Sequence, residues 1–232
     1  MRNYFSLKNF SGRLPIFPLP KVVHFPHTML PLHIFEKRYQ KMLNDALEGE
    51  GLIGMAVLKP GWEQNYSGNP DIYPMACLGT ILKHEPLQDG RSNILLLGLK
   101  RVRIKEIIKP LPYRMASVEI LEDMTDNMTR EERIKMKKEL LEIYSEVVIE
   151  HADSKQHFPA LSNAGFNLAE LTDALSASLG LPIPVQIRLL DESDVLNRSV
   201  ILKEKMEALL KRSGPRIIGA STDPNLPDIH LN

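Results

Sequence analysis

The spacing of apolar residues changes character once along the chain. Through residue 121 apolar positions come in short runs or alternate with polar ones, which is the period-two signature of strands. Past the polar stretch Glu122-Asp123-Met124-Thr125-Asp126-Asn127 they recur every three to four residues, as on one face of a helix. The first part opens with Leu14-Pro15-Ile16-Phe17-Pro18-Leu19, and prolines at 15, 18, 20, 26 and 31 fix φ and remove N–H donors. The backbone from Leu14 to Leu32 is therefore expected to run as edge strand or extended loop. A helix can begin only beyond Pro31. Phe35, Tyr39, Met42, Leu43, Ala46 and Leu47 at helical spacing predict one over about residues 33–48, stopped by Gly49 and Gly51.

Leu52 through Lys59 has the length of a buried strand, with Pro60-Gly61 as the turn after it. Trp62 and Tyr66 then stand in a polar, breaker-rich loop. Residues 75–85 read as a strand, Asp89-Gly90 as a hairpin turn and Asn93 to Leu97 as the return strand. Gly98 interrupts it, marking a bend or a close backbone approach, before Leu99 to Ile104 and then residues 113–121 alternate again. In the second part Thr129 and Glu132 have capping-box spacing, ahead of an apolar face of Met136, Leu140, Ile143, Tyr144, Val147 and Val148 that ends near His151. A second helix begins at Asn167, with Leu168, Leu171, Leu175 and Leu179 inward and Gly180 as its stop. Pro184 suits the first turn of a third, to Asp191, and Asp194 caps a fourth, to Arg212. Residues 213–232 hold three prolines and little periodicity and read as a tail.

Composition adds a charge split. The chain of 232 residues has 29 Lys+Arg and 29 Asp+Glu, of which residues 1–123 hold 16 and 12 and residues 124–232 hold 13 and 17. The imbalance, +4 against −4, hints at two parts, and neither is basic enough to argue nucleic-acid binding from charge alone. At 43% apolar residues a core is well supplied. The single cysteine, Cys77, leaves no intramolecular disulfide and fits a reducing compartment. The amino-terminal residues lack the apolar core of a signal peptide, and no stretch approaches the roughly 20 apolar residues that cross a bilayer, so a cytoplasmic protein is expected.

Three strings carry a resemblance. The first is Leu14-Pro15-Ile16-Phe17-Pro18-Leu19 with Val22-Val23-His24-Phe25-Pro26-His27-Thr28-Met29-Leu30-Pro31-Leu32 and then Phe35-Glu36-Lys37-Arg38-Tyr39. The second is Leu78-Gly79-Thr80-Ile81 followed, after a hairpin, by Gly98-Leu99-Lys100-Arg101-Val102-Arg103-Ile104. The third is Leu168 to Leu179 with Gln186-Ile187-Arg188-Leu189-Leu190-Asp191 and Arg198. In order and spacing these resemble the amino-terminal substrate-binding domain of Lon proteases over about residues 13–212. Asp191 stands where that family usually has glutamate, and Ser199 where it usually has leucine.

The resemblance implies an α+β protein: a PUA-like, partly open β-barrel of about six strands with one short helix in residues 1–123, then an α-helical subdomain in residues 124–212. It also implies a protein-binding module without its motor. The chain has no G-x-x-x-x-G-K-[ST], G-x-S-x-G, H-E-x-x-H or G-x-G-x-x-G, so no enzyme, no catalytic residue and no cofactor is expected. His24, His27, His33 and His84 do not suggest a metal site, because the H-x-x-H pair lies in an extended segment with no cysteine or carboxylate to complete a ligand set.

The expected partners are unfolded or partly folded protein segments, with a protease or another folded protein also open. An apolar groove between barrel and helices is the expected contact surface, and Met29, Leu30, Trp62 and Tyr66 are its candidate residues. For Trp62 there is a plainer reading, that the ring pins its loop onto the barrel. The competing class is RNA binding, since PUA-like barrels elsewhere bind RNA and Lys100, Arg101, Arg103 and Lys105 cluster on one strand. Arguing against it, RNA modules normally add stacking aromatics.

Overall fold

A computed structural model of the chain describes residues 7–65, 68–150 and 165–212. Tyr66 and the 213–232 stretch lie outside the described residues. Six strands are joined in one sheet: β1 (Arg13–Leu19), β2 (Met29–Ile34), β3 (Leu52–Leu58), β4 (Ile72–Pro86), β5 (Ser92–Lys109) and β6 (Arg114–Leu121). Helix α1 (Lys37–Glu48) falls between β2 and β3, and α2 (Arg130–Glu150), α3 (Leu168–Ser178), α4 (Ile183–Asp191) and α5 (Val195–Arg212) follow the strands.

The strand order is β2-β5-β4-β3-β1-β6, and β6 also pairs with β5. Five strands thus close into a ring, irregular because β1 and β3 are parallel and the long β4 and β5 slip register twice. Strand β2 stands outside that ring, hydrogen-bonded to the first half of β5. Inside the ring Leu14, Ile16, Ala56, Ala76, Leu78, Val102, Ala116 and Val118 form one core. A second core lies between the sheet and α1, where Tyr39, Met42, Leu43 and Ala46 meet Phe17, Ile53, Met55 and Leu96. The third, largest core joins the helices to the sheet: Leu140, Tyr144, Val148, Leu171 and Leu175 pack with Phe25, Val57 and Met75.

Three local expectations change in the structure. First, β1 is not an edge, because it pairs with both β3 and β6. Pro15 lies where pairing to β3 has not begun and Pro18 where pairing to β6 has ended, so each imide nitrogen can face an unpaired side. Second, the helix begins at Lys37 rather than near 33, since Met29–Ile34 is drawn into the sheet. Phe35 precedes the helix and is exposed, and Leu47 is exposed as well. Third, Asn93–Leu97 and Leu99–Ile104 belong to one continuous strand.

Gly98 nevertheless marks the close approach its position implied. The proline-rich crossing passes over it, with the His27 N–H donating to the Gly98 carbonyl at 2.8 Å and the Gly98 N–H to the Thr28 carbonyl at 2.9 Å. A Cβ at residue 98 would stand 2.2 Å from the Phe25 carbonyl oxygen. The helix caps also follow the sequence. Thr129 and Glu132 bond reciprocally, as do Asn167 and Glu170, and the Asp194 carboxylate accepts from the Leu196 and Asn197 N–H groups.

Candidate protein-docking surface

Where β2, the first half of β5 and the end of β4 run side by side, the sheet has two unlike faces. Side chains alternate across a strand and cross-strand partners share a face. Leu30, Leu32 and Ile34 of β2 therefore point with Ile94 and Leu96 of β5 and with Ile81 of β4 into the core beneath α1. Met29, Pro31 and His33 point the other way. Opposite them in register are Leu97, Leu95 and Asn93, and beyond those Lys83 and Glu85 of β4.

This second face is apolar from Met29 and Leu97 to Pro31 and Leu95, and polar at His33 and Asn93 before Phe35 is reached. Met29 is 61% exposed, and Phe35, just past the end of β2, is 52% exposed. Pro31 is exposed, Leu95 and Leu97 are half-buried, and Leu82, the extra residue of a bulge in β4, is exposed too. His33 lies against Phe35 with ring centroids 6.1 Å apart and shares a 2.8 Å hydrogen bond between its Nδ1 and the Asn93 side-chain oxygen. Exposed apolar residues gathered on one face beside polar ones are the form a recognition surface takes.

Of the four residues singled out by sequence, Met29 lies on this face. Leu30 is turned inward and packs on the α1 core. Trp62 is half-buried in a 3-10 turn, Trp62–Asn65, on the loop between β3 and β4. That loop is tied down by the Arg114 guanidinium, which donates to the Pro70 carbonyl at 2.6 Å. Sequence reasoning missed Phe35, Leu82, Leu95 and Leu97. Alternation in Asn93–Leu97 could have found the last two, but Phe35 fits a helical period equally well and Leu82 is placed only by the slip in register.

The basic strand is neutralised within the fold. Lys100 pairs with Glu122, Arg103 with Asp191 at 3.0 Å and Lys105 with Glu119 at 2.6 Å. Arg101, 2% exposed, donates to both carboxylate oxygens of the buried Asp173 and, through Nε, to the Leu190 carbonyl at 3.1 Å. The buried Arg198 and the part-exposed Asp123 complete a set of two cations and two anions, with Arg198 2.9 Å from Asp123. The histidines are equally occupied in structure: His24 with the Thr28 carbonyl at 3.1 Å and His84 with the Ser92 hydroxyl at 3.1 Å. Burial pushes the Cys77 thiol well above its ordinary range.

Comparison with known proteins adds the family. The model of the "ATP-dependent protease La (LON) substrate-binding domain" matches residues 13–208. The chain belongs to the Lon substrate-binding domain family. Among curated relatives, the Lon protease of Dictyoglomus thermophilum is 30% identical over 190 residues, which cover 80% of this chain and 23% of that protein. Lon protease 2 of Myxococcus xanthus is 26% identical over 204 residues, 85% of this chain and 23% of its own length. The chain thus spans about a quarter of these Lon proteases, and the match is to the substrate-binding domain alone.

Two solved structures share the Lon domain fold. The Lon N-terminal domain protein from Xanthomonas campestris superposes with a TM-score of 0.59 at 20% identity, covering 84% of this chain and 97% of that one. The N-terminal domain of a Mycobacterium avium complex Lon protease gives 0.63 at 15% identity, covering 84% and 98%. Among the described residues, no helix is long and apolar enough to cross a membrane.

Proposed function

We propose that this chain is a non-catalytic protein-recognition module that holds exposed apolar segments of unfolded or partly folded client proteins, acting as an adaptor in protein quality control. The observation that carries this reading is the outer face of β2–β5–β4, with Met29 and Phe35 standing exposed at the two ends of β2. Full burial of a side chain of either kind contributes about 1.5–3 kcal/mol, and covering the exposed part of Met29 and Phe35 supplies a share of that toward weak, reversible capture. Trp62 remains a second candidate contact from its half-exposed position. Each of the four bases that favoured RNA already has a carboxylate partner, which weighs for protein recognition over RNA.

The test is a titration of fluorescently labelled, reduced and carboxymethylated α-lactalbumin, and of labelled single-stranded RNA, at low and high salt. Client binding that persists at high salt and weakens about tenfold in Met29→Ser/Phe35→Ser supports the proposal, because apolar burial is not screened by salt. Tight RNA binding that collapses with added salt would overturn it. So would client binding unchanged by the double substitution.

A further inference from the structure

A small cavity of about 10 Å³ lies between β1, the first turn of α1 and the start of β6. That is room for one occupant of about the size of a water molecule. Its lining includes Arg38, Asn69 and Arg114, and no carboxylate. Strand pairing and loop contacts bring the three together. Arg114 stands opposite Ile16 where β6 begins beside β1, and Arg38 belongs to the first turn of α1. The loop that carries Asn69 is held on either side of it, by the Arg38 guanidinium donating to the Gly68 carbonyl at 3.5 Å and by Arg114 donating to the Pro70 carbonyl at 2.6 Å.

The charge of Arg114 says what the cavity would accept. Of the three buried arginines among the described residues, Arg101 and Arg198 each share a carboxylate, and Arg114, 7% exposed, pairs with none. Among those residues the only acceptor its guanidinium reaches is the Pro70 carbonyl, through Nη2. Buried cations are rarely left in this state, because a charge taken out of water needs a counter-charge. The surroundings do not supply it. Burial holds the Arg114 pKa below the ordinary guanidinium value; Tyr39 and the exposed Asp71 oppose the shift, and the neighbouring Arg38 charge adds to it. Arg38 itself is answered by Glu36 at 2.9 Å, so the charge still open at the cavity is that of Arg114.

We propose that the cavity is an anion site that holds one monovalent ion of chloride size against Arg114, with Arg38 and the Asn69 amide completing its shell. A water molecule fills the same space and leaves the charge unanswered, and an organic acid or a phosphate is too large to enter. The site goes beyond client capture and is independent of it, since none of its lining residues belongs to β2, β4 or β5.

The experiment follows the ³⁵Cl NMR linewidth of sodium chloride as the full chain is added, in sodium gluconate at constant ionic strength so that screening does not change. Gluconate is too large for the cavity. Wild-type protein is expected to broaden the line. Replacing gluconate by chloride is expected to raise its Tm, since an ion held only by the folded chain stabilises that chain. Arg114→Leu removes the open charge and is expected to abolish both effects. Asn69→Asp, at an exposed position, sets a carboxylate in the lining beside Arg114 and is expected to displace the ion and to raise the Tm in gluconate alone. Because it leaves the buried arginine in place, Asn69→Asp decides the matter even where Arg114→Leu does not fold. Absence of wild-type broadening, with water alone filling the space, would overturn the proposal. Broadening equal to that of the wild type in either variant would do the same.

Discussion

The guanidinium of Arg101 on β5 grips the carboxylate of Asp173 on α3 with both ends of its fork, and neither side chain reaches water. With Asp123 and Arg198 the pair forms a charged contact set at the junction of sheet and helices, where the Arg198 Nε also donates to the buried Thr172 hydroxyl. Removing one partner strands the other charge in a medium that cannot solvate it. Asp173→Asn or Arg101→Leu is therefore expected to cost about 3–5 kcal/mol, read from urea denaturation. The double variant Arg101→Leu/Asp173→Leu is expected to be milder than either single change, because Asp123 and Arg198 keep each other. Additive losses would show that the pair does not act as a unit.

His24 gives a pH prediction. Its ring is buried, its Nδ1 has no hydrogen-bond partner, and desolvation lowers its pKa to about 4 from 6.5, against the opposing effect of the Thr28 carbonyl. A histidine depressed in the folded state stabilises fully above its unfolded pKa, and that stability is lost as pH falls toward the folded value. The loss between pH 6.5 and 4 should be about 3 kcal/mol. His24→Gln keeps a donor for Thr28 and cannot titrate there, so its stability curve should be flatter across this window. Parallel curves for the two proteins would refute the assignment.

Gly98 tests the crossing of the proline-rich segment. A methyl group there meets main chain rather than a movable side chain, so Gly98→Ala should cost about 3 kcal/mol, the upper end for overpacking. Thermal unfolding against the wild type decides it. A change below about 0.5 kcal/mol would mean the crossing can lift away freely.

Met29 and Leu30, adjacent in sequence, should separate binding from stability. Leu30→Ala removes packing on the α1 core and is expected to lower stability by about 1–2 kcal/mol. Met29→Ala, at an exposed position, is expected to leave stability within about 0.5 kcal/mol and to weaken client capture. Denaturation and client titration of the two variants, side by side, check both halves.

Much of this architecture was written in local signals. The Asp89-Gly90 turn, the glycine at 98 and the three polar caps each act over a few residues, and each appears in the structure where the sequence put it. Long-range pairing was not legible. Whether Met29 or Leu30 faces outward depends on the register of β2 against β5, and the role of Arg101 depends on a partner 72 residues away. The strand alternation of Arg101 and Arg103 looked like a basic stripe only because the carboxylates that answer it lie on other elements. Phe35 was misplaced for a related reason: the demand of β5 for a partner overrode the helical period and held the chain extended through Ile34.

Pro31 sits in the middle of β2, the strand with only β5 beside it among the described residues. A strand with one free side is a template on which an extended segment of another chain can pair, each added strand lengthening the sheet and offering a fresh border to the next. A proline nitrogen at that border has no hydrogen to offer. The free border of β2 therefore lacks a donor at its midpoint, so an extended segment laid along it cannot complete a regular ladder there, and the sheet is less open to growth by strand addition.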